Sequence, residues 1–196
     1  MPGSEIRPLT SSRWGDVAIV FGRRGSDPTW CWCRRLLEPP AEQRELPRDR
    51  RDNRAALHRE VVTAGVPPGL LAYDEDQPVG WTRVGPREGF AGVRGNRALA
   101  RLLSPDPDAW WVACFAVSPG ARGGGVATSL LRAAVEFAFA HGAASVEGHP
   151  VDVSALHAGH AAPSAVFTGT LPMFLAVGFS EIGRTYPSRP VMRLTR

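Results

Sequence analysis

Apolar residues recur along this chain in two periods, and the periods predict a mixture of strands and helices. Positions 6–10 form a short extended run, and positions 13–21 and 53–64 follow with helical spacing. The stretch at 22–52 is irregular. Apolar positions three and four apart are typical of an amphipathic helix, whereas short alternating or continuous apolar runs are typical of strands. The first third of the chain therefore predicts one strand and two helices.

The middle of the chain predicts a hairpin and a long connection. Two apolar runs at 69–73 and 78–84 flank a polar segment at 74–77, which is the pattern of two antiparallel strands joined by a tight turn. Positions 86–108 form the connection, with a helical pattern at 96–103. This part of the chain adds two strands and a short helix to the prediction.

A glycine-rich segment past mid-chain is the most informative feature. It follows an apolar run at 111–117 and opens onto an amphipathic stretch, so the order is strand, turn, helix. The free N–H groups of a helix start converge at its positive dipole end, and glycines let the backbone approach an anion closely. The segment predicts a pyrophosphate site. Its residues are Arg122, Gly123, Gly124, Gly125, Val126, Ala127 and Thr128.

The last third of the chain predicts the remaining strands. An apolar run at 145–151 indicates a strand, and positions 152–169 form a loop. A short helix is predicted at 171–177, and the tail at 180–194 predicts one or two closing strands. Strands alternating with helices in this order indicate an α/β fold.

The spacing of the glycines limits which class of pyrophosphate-bearing ligand the segment could bind. A Walker loop requires a Gly-Lys pair, and this chain has no lysine; a dinucleotide fingerprint requires a third glycine where Thr128 stands. The pattern that fits is Arg-x-x-Gly-x-Ala at 122–127, preceded by Phe-x-Val-x-Pro at 115–119 and followed by Gly-Phe at 178–179. This arrangement resembles the acetyl-CoA-binding motif of the GNAT N-acetyltransferase superfamily.

The resemblance implies a fold and a reaction. Residues 1–196 would form one α/β domain of GNAT type, with a mixed central sheet of about six to seven strands flanked by helices and a cofactor cleft between two splayed strands. The match is best over 53–194, and the divergent segment 1–52 would border the acceptor. The implied activity is transfer of an acetyl group from acetyl-CoA to the primary amine of a small acceptor. Beyond the turn, the implied cofactor contacts are Phe115, Ala116, Val117 and Phe174.

Two departures from the family pattern leave an alternative open. Many members carry a tyrosine acid four residues before the Gly-Phe pair, where this chain has Phe174. Histone-type relatives carry a glutamate base six residues before the valine of Val-x-Pro, where this chain has Trp111. The alternative function is an acyl-CoA-binding or sensor module with little or no transferase activity.

Candidates for the acceptor side lie near both ends of the chain. Glu147 and His149 are two apart and so share one face of a strand, and Asp152 begins the following loop. We interpret His149 and Asp152 as candidate general bases and Glu147 as an acceptor contact, against the alternative that they are ordinary structural residues. Trp30 and Trp32 are candidate acceptor contacts, or packing residues only.

Composition indicates a bacterial, cytoplasmic protein. All 23 basic residues are arginine, the net charge is +4, and no apolar run approaches the roughly 18 residues of a membrane span. No signal-peptide pattern is visible at the N-terminus. The three cysteines cannot form a closed set of disulfides, and their number favours a reducing compartment.

Metal and nucleic-acid sites are not predicted. The Cys31-x-Cys33 pair lacks further ligands at zinc spacing, as do His157 and His160. The arginine-rich segment 44–60 is interleaved with acidic residues, which is typical of a solvated helix face. An acetyltransferase toxin acting on tRNA remains a lesser alternative, and a homodimer is left open.

Overall fold

The computed structural model describes residues 4–22, 32–34, 36–39, 41–42, 50–156 and 165–196. These residues build one seven-stranded sheet with helices on both faces. The strands are β1 (Glu5–Pro8), β2 (Gly69–Asp74), β3 (Gln77–Pro86), β4 (Ala109–Val117), β5 (Ser145–Gly148), β6 (Ser180–Tyr186) and β7 (Arg189–Thr195). The α-helices are α1 (Trp14–Gly22), α2 (Arg50–Thr63), α3 (Ala91–Arg94), α4 (Arg97–Ala100), α5 (Val126–Ala140) and α6 (Leu171–Leu175).

The sheet has the strand order β1-β2-β3-β4-β5-β7-β6. Neighbouring strands are antiparallel except β4 and β5, which are parallel because α5 connects them. The mixed sheet, the hairpin of β2 and β3, and the two closing strands confirm the predicted fold class.

The parallel strands β4 and β5 separate after a short paired segment. Their register begins at Ala109–Ser145 and ends at Val112–Gly148, within the described part of the chain. β4 continues for five more residues to Val117. A gap therefore opens between the two strands at the carboxyl end of β5.

Each face of the sheet has its own apolar core. The buried face of α5 packs on one side with Trp110 and Val112 of β4. Trp111 and Ala113 lie on the opposite side and pack with α3 and α4, because successive strand residues point to opposite faces. A third cluster on that opposite side holds α1 and α2 against Trp81. The fold therefore separates the helix that follows the glycine turn from the surroundings of Trp111.

Several elements differ from their sequence predictions: α3 was not predicted, α6 is two residues shorter, and β5 and α4 have other bounds. β5 ends at Gly148 rather than at position 151, because Pro150 has no N–H for a strand ladder; Val151 makes only an isolated parallel bridge to Thr170. The helical pattern predicted at 96–103 is limited to α4, whose start is capped by Asn96 Oδ1. No helix in the described ranges is long and apolar enough to cross a membrane.

A disulfide corrects the prediction made from the cysteine count. Cys33 and Cys114 are bonded across a sequence separation of 81 residues. An odd number of cysteines does not prevent one pair from forming, so the count no longer supports a reducing compartment. The bond fixes the segment after α1 to β4, and Trp81 Nε1 donates a hydrogen bond to Cys33 Sγ at 3.1 Å.

Reducing this disulfide should lower the stability of the protein. Opening a loop of this length restores entropy to the unfolded chain, which by the usual range costs about 2–4 kcal/mol of unfolding free energy. We expect urea unfolding with dithiothreitol to show that loss. The double variant Cys33→Ser/Cys114→Ser is the control, since reductant should leave its midpoint unchanged. Equal midpoints for oxidised and reduced wild-type protein would contradict the expectation.

Candidate active site

The glycine turn forms an open cradle at the start of α5. Gly123 and Gly125 have φ angles of 77° and 84°, and a Cβ added at either would meet no atom of the protein within 4 Å. Gly125 is the N-cap of α5. Because glycine has no side chain, the free N–H groups of the first turn receive no cap from this residue. The space beside the left-handed glycines is therefore open, and no side chain of the described residues caps the start of α5.

Arg122 places a positive charge beside the cradle. Its Nε donates to the carbonyl oxygen of Val117 at 3.1 Å, which ties the side chain to the end of β4. Helix dipole, free N–H groups and guanidinium all favour an anion at this point. The arrangement is suited to a phosphate-bearing ligand.

The free edge of β4 carries further backbone N–H groups that could donate hydrogen bonds to a ligand. Ser118 N donates to Val79 O on the β3 side, so by strand alternation the N–H groups of Phe115 and Val117 point toward the gap. Phe115 N donates to the carbonyl oxygen of Phe167 at 2.6 Å. A ligand that pairs with Phe115 must displace this carbonyl.

Phe174 lies on the α5 side of the gap. Its side chain is fully buried and stacks edge-on against Phe179 at a centroid distance of 4.8 Å. A Cβ on Gly148 would come within 2.5 Å of the Phe174 ring, so the ring fills the space under the end of β5. It offers an apolar surface and no exchangeable proton.

A cavity of about 380 Å³ lies on the opposite face of the sheet. Trp111 and Ala113 of β4 form its floor, and Phe167 connects it to the gap between β4 and β5. Its volume is in the range of small-molecule pockets. Its lining is Leu36, Gly92, Asn96, Leu99, Trp111, Val112, Ala113, His149, Phe167, Thr168 and Arg189.

His149 is the predicted base that lines this cavity. Arg189 Nη2 donates to its Nδ1 at 3.4 Å, and its Nε2 then carries the proton and donates to Thr185 Oγ1 at 2.8 Å. Burial lowers the pKa of His149 to about 4, and the charge of Arg189 acts in the same direction. The imidazole is therefore neutral at physiological pH.

Acidification should destabilise the protein through His149. The unfolded chain takes up a proton near pH 6.5, whereas the folded chain does so only near pH 4. Folding stability therefore falls as the pH drops through this window, by about 3 kcal/mol in total. We expect His149→Asn to lose less stability than wild type between pH 7 and pH 4.5 in urea unfolding. Parallel losses in the two proteins would show that His149 does not titrate in this way.

Both carboxylate oxygens of Glu147 accept hydrogen bonds from arginine side chains. Its carboxylate is fully buried; Oε2 accepts from Arg87 Nη1 at 2.7 Å, and Oε1 accepts from Arg193 Nη2 at 2.6 Å. Arg87 also donates to the carbonyl oxygens of Ser104 and Asp106. The network joins β5, β7 and the connection before β4. Glu147 is not among the residues lining the cavity.

Asp152 also makes its contacts away from the cavity. Ser154 Oγ donates to its Oδ1 at 2.5 Å and Arg184 Nη1 donates to its Oδ2 at 2.8 Å. These two bonds hold the pKa of the Asp152 carboxyl below its usual value. The carboxylate is directed toward β6.

Of the two candidate tryptophans, only Trp32 belongs to the described residues. Its ring is 3% exposed and stacks on Phe21 at 4.9 Å, within the core under α1. Trp30 lies outside the described residues, as do Cys31, His157 and His160. The cavity wall on this side is formed by Leu36, three residues after the disulfide.

Sequence reasoning did not find Arg189, Thr168 or Phe167. They lie in the loop before α6 and at the start of β7, and no local motif marks them. The fold alone brings them next to Trp111.

Comparison with known proteins gives a family match and a common fold. The family model described as "Acetyltransferase (GNAT) family" matches residues 30–158. No curated protein matches the sequence significantly.

Several solved structures resemble the whole chain. A ribosomal-protein-alanine N-acetyltransferase from Brucella melitensis is 19% identical with a TM-score of 0.55, covering 98% of this chain and 99% of its own. An aminoglycoside acetyltransferase in complex with coenzyme A is 16% identical with a TM-score of 0.57, covering 98% and 95%. A phosphinothricin acetyltransferase from Sinorhizobium meliloti in complex with AcCoA is 18% identical with a TM-score of 0.54, covering 98% and 88%. At these identities the likeness concerns the fold.

Proposed function

The chain belongs to the GNAT family of acetyltransferases, and from this premise we propose that it transfers an acetyl group from acetyl-CoA to the primary amine of a small acceptor. The observation that carries the proposal is the open glycine cradle at the start of α5, beside the free edge of β4. The pyrophosphate would bind at the cradle and Arg122. The pantetheine would run along β4 toward the gap, with its reactive end near Phe174.

The proposed reaction requires no covalent intermediate between substrate and protein. The amine nitrogen attacks the thioester carbon, the C–N bond forms, and the C–S bond breaks with its electron pair on sulfur. The thiolate is a good leaving group, since a thiol has a pKa of about 8.5. One proton passes from the amine to water or to the departing sulfur. An N–H of β4 facing the gap, such as that of Val117, would hold the developing oxyanion.

His149 is the side chain that we place at the acceptor end. It lines the cavity, whereas the contacts of Asp152 and Glu147 lie elsewhere. A histidine with a pKa of about 4 holds a proton weakly, so water is the final proton acceptor in this scheme.

One set of measurements tests the proposal. Acetyl-CoA should raise the melting temperature strongly and dephosphorylated pantetheine much less, because only the former carries the phosphates. Thiol release with a panel of amines should then show turnover. Stabilisation by acetyl-CoA without thiol release from any amine would favour the sensor function, which Phe174 and Trp111 at the usual acid and base positions support. Absence of stabilisation would refute both functions.

A further inference from the structure

The charged and ionisable side chains that line the cavity at Trp111 are engaged with other groups of the protein. Arg189 donates to Thr168 Oγ1 at 3.1 Å and to His149 Nδ1 at 3.4 Å, and it makes a further interaction besides these two. His149 Nε2 donates to Thr185 Oγ1 at 2.8 Å. Both ring nitrogens of the histidine are therefore used within the fold, and the guanidinium is not free for a ligand.

Two further polar groups of the lining also offer little to a ligand. Asn96 Oδ1 accepts from two backbone N–H groups at the start of α4, so it serves as the cap of that helix. The indole nitrogen of Trp111 is inaccessible, so it provides no donor to the cavity. The polar part of the lining therefore serves mainly to hold the protein together.

The rest of the cavity has apolar walls. Leu36, Leu99, Ala113 and Phe167 belong to its lining. Its volume of about 380 Å³ lies near the lower end of the usual range for ligand pockets, which is about 300–1,000 Å³. A small hydrocarbon group would bury most of its surface there and gain the corresponding transfer free energy.

An ionised group in this space would be buried without a partner of its own. Among the described residues that line the cavity there is no acidic side chain to pair with a second ammonium. Burial, aided by Arg189, lowers the pKa of His149 to about 4, so the imidazole carries no charge at physiological pH. A carboxylate would have to displace the existing contacts of Arg189. Because an unpaired buried charge is costly, the cavity favours an uncharged group.

We infer that this cavity binds the uncharged hydrocarbon part of the acceptor, so that the acceptor is a monoamine carrying a small aliphatic or aromatic group. The hydrocarbon packs against Leu36 and Leu99, and the reacting amine extends past Phe167 to the gap between β4 and β5. This inference rests on the proposed function, because it names the acceptor class of that reaction.

Amines of equal size and different charge test the inference. Hexylamine and 1,5-diaminopentane have the same number of heavy atoms, and so do 5-methylhexylamine and 5-aminopentanoate. In each pair the second compound has a charged end where the first has an apolar one. We expect kcat/KM, measured by thiol release from acetyl-CoA, to be at least about tenfold higher for the apolar member, since the charge would be buried unpaired. A charged member that reacts as well as its apolar partner in either pair would overturn the inference.

Chain length provides a second measurement on the wild-type protein. From propylamine to pentylamine, kcat/KM should rise about fourfold for each methylene group that enters the cavity. The rise should stop when the cavity is filled. A flat series would show that the hydrocarbon remains in solvent, which contradicts the inference.

A carboxylate introduced into the cavity wall should reverse the preference. Leu36 is half-buried, and its carbonyl oxygen accepts from Gly92 N at 3.0 Å. Leu36→Asp should lower kcat/KM for hexylamine about tenfold and raise that for 1,5-diaminopentane, because the second ammonium gains a partner. Leu37→Asp is the matched control, since Leu37 is also half-buried and does not line this cavity. Equal changes of the hexylamine to diaminopentane ratio in the two variants would refute the place of Leu36. If Leu36→Asp does not fold, the two wild-type series still decide.

A binding measurement separates this inference from the proposed function. Thermal shift with non-reactive CoA present should show stronger stabilisation by hexylamine than by 1,5-diaminopentane. If this difference is seen but no amine releases thiol, the cavity assignment holds and the transferase proposal fails. If thiol is released and the charged amines match or exceed the apolar ones, the transferase proposal holds and the cavity assignment fails.

Discussion

Replacing Gly125 by valine is expected to weaken acetyl-CoA binding by at least about 100-fold, equivalent to about 2.7 kcal/mol. Gly125 has a φ of 84°, a left-handed conformation that a β-branched residue adopts only with strain. The valine side chain would meet no protein atom at its Cβ, so it would project into the cradle where the pyrophosphate is proposed to lie. Isothermal titration with acetyl-CoA measures the loss.

Gly142→Val is the matched control for this variant. Gly142 follows the other end of α5, has a φ of 88°, and likewise has no atom within 4 Å of an added Cβ. Both variants carry the same backbone strain and should lose similar stability. Only Gly125→Val should lose cofactor affinity. Equal affinities in the two variants would place the pyrophosphate elsewhere.

Replacing Glu147 by glutamine is expected to cost about 3–5 kcal/mol of unfolding free energy. The carboxylate is fully buried between Arg87 and Arg193, whose side chains are themselves 11% and 21% exposed. The amide leaves two largely buried guanidiniums without their counter-charge, and its nitrogen would face one of them. Urea unfolding of the variant measures the loss.

The same substitution at Glu88 provides the comparison. Glu88 is 76% exposed and lies 3.9 Å from Arg94, so Glu88→Gln should cost little, as exposed pairs usually do. The experiment also tests the interpretation of Glu147 as an acceptor contact. A raised KM with unchanged stability in Glu147→Gln would support that interpretation and contradict the structural role.

The glycine turn could be predicted from sequence because its signals are local. Gly123, Gly125 and the apolar period of α5 lie within a few residues of one another, and only glycine suits the left-handed positions. The hairpin and the closing strands were predictable for the same reason, since short turns join apolar runs.

The cavity at Trp111 could not be predicted because it depends on contacts between distant residues. Cys33 meets Cys114 across 81 residues, and Arg189 reaches His149 from a strand near the end of the chain. Nothing adjacent to Arg189 in sequence distinguishes it from the other arginines. Trp111 was recognised only as the residue at a missing glutamate position; that its indole nitrogen is buried without a partner follows from the tertiary packing.

The placement of the cradle and the cavity on opposite faces of the sheet has a kinetic consequence. With the proposed occupants, each substrate enters by its own route, and the two meet only at the gap between β4 and β5. Both can be bound at the same time, so the acetyl group passes directly within a ternary complex and needs no intermediate carrier on the protein. Free CoA then competes with acetyl-CoA for one entrance while the other remains open to the amine.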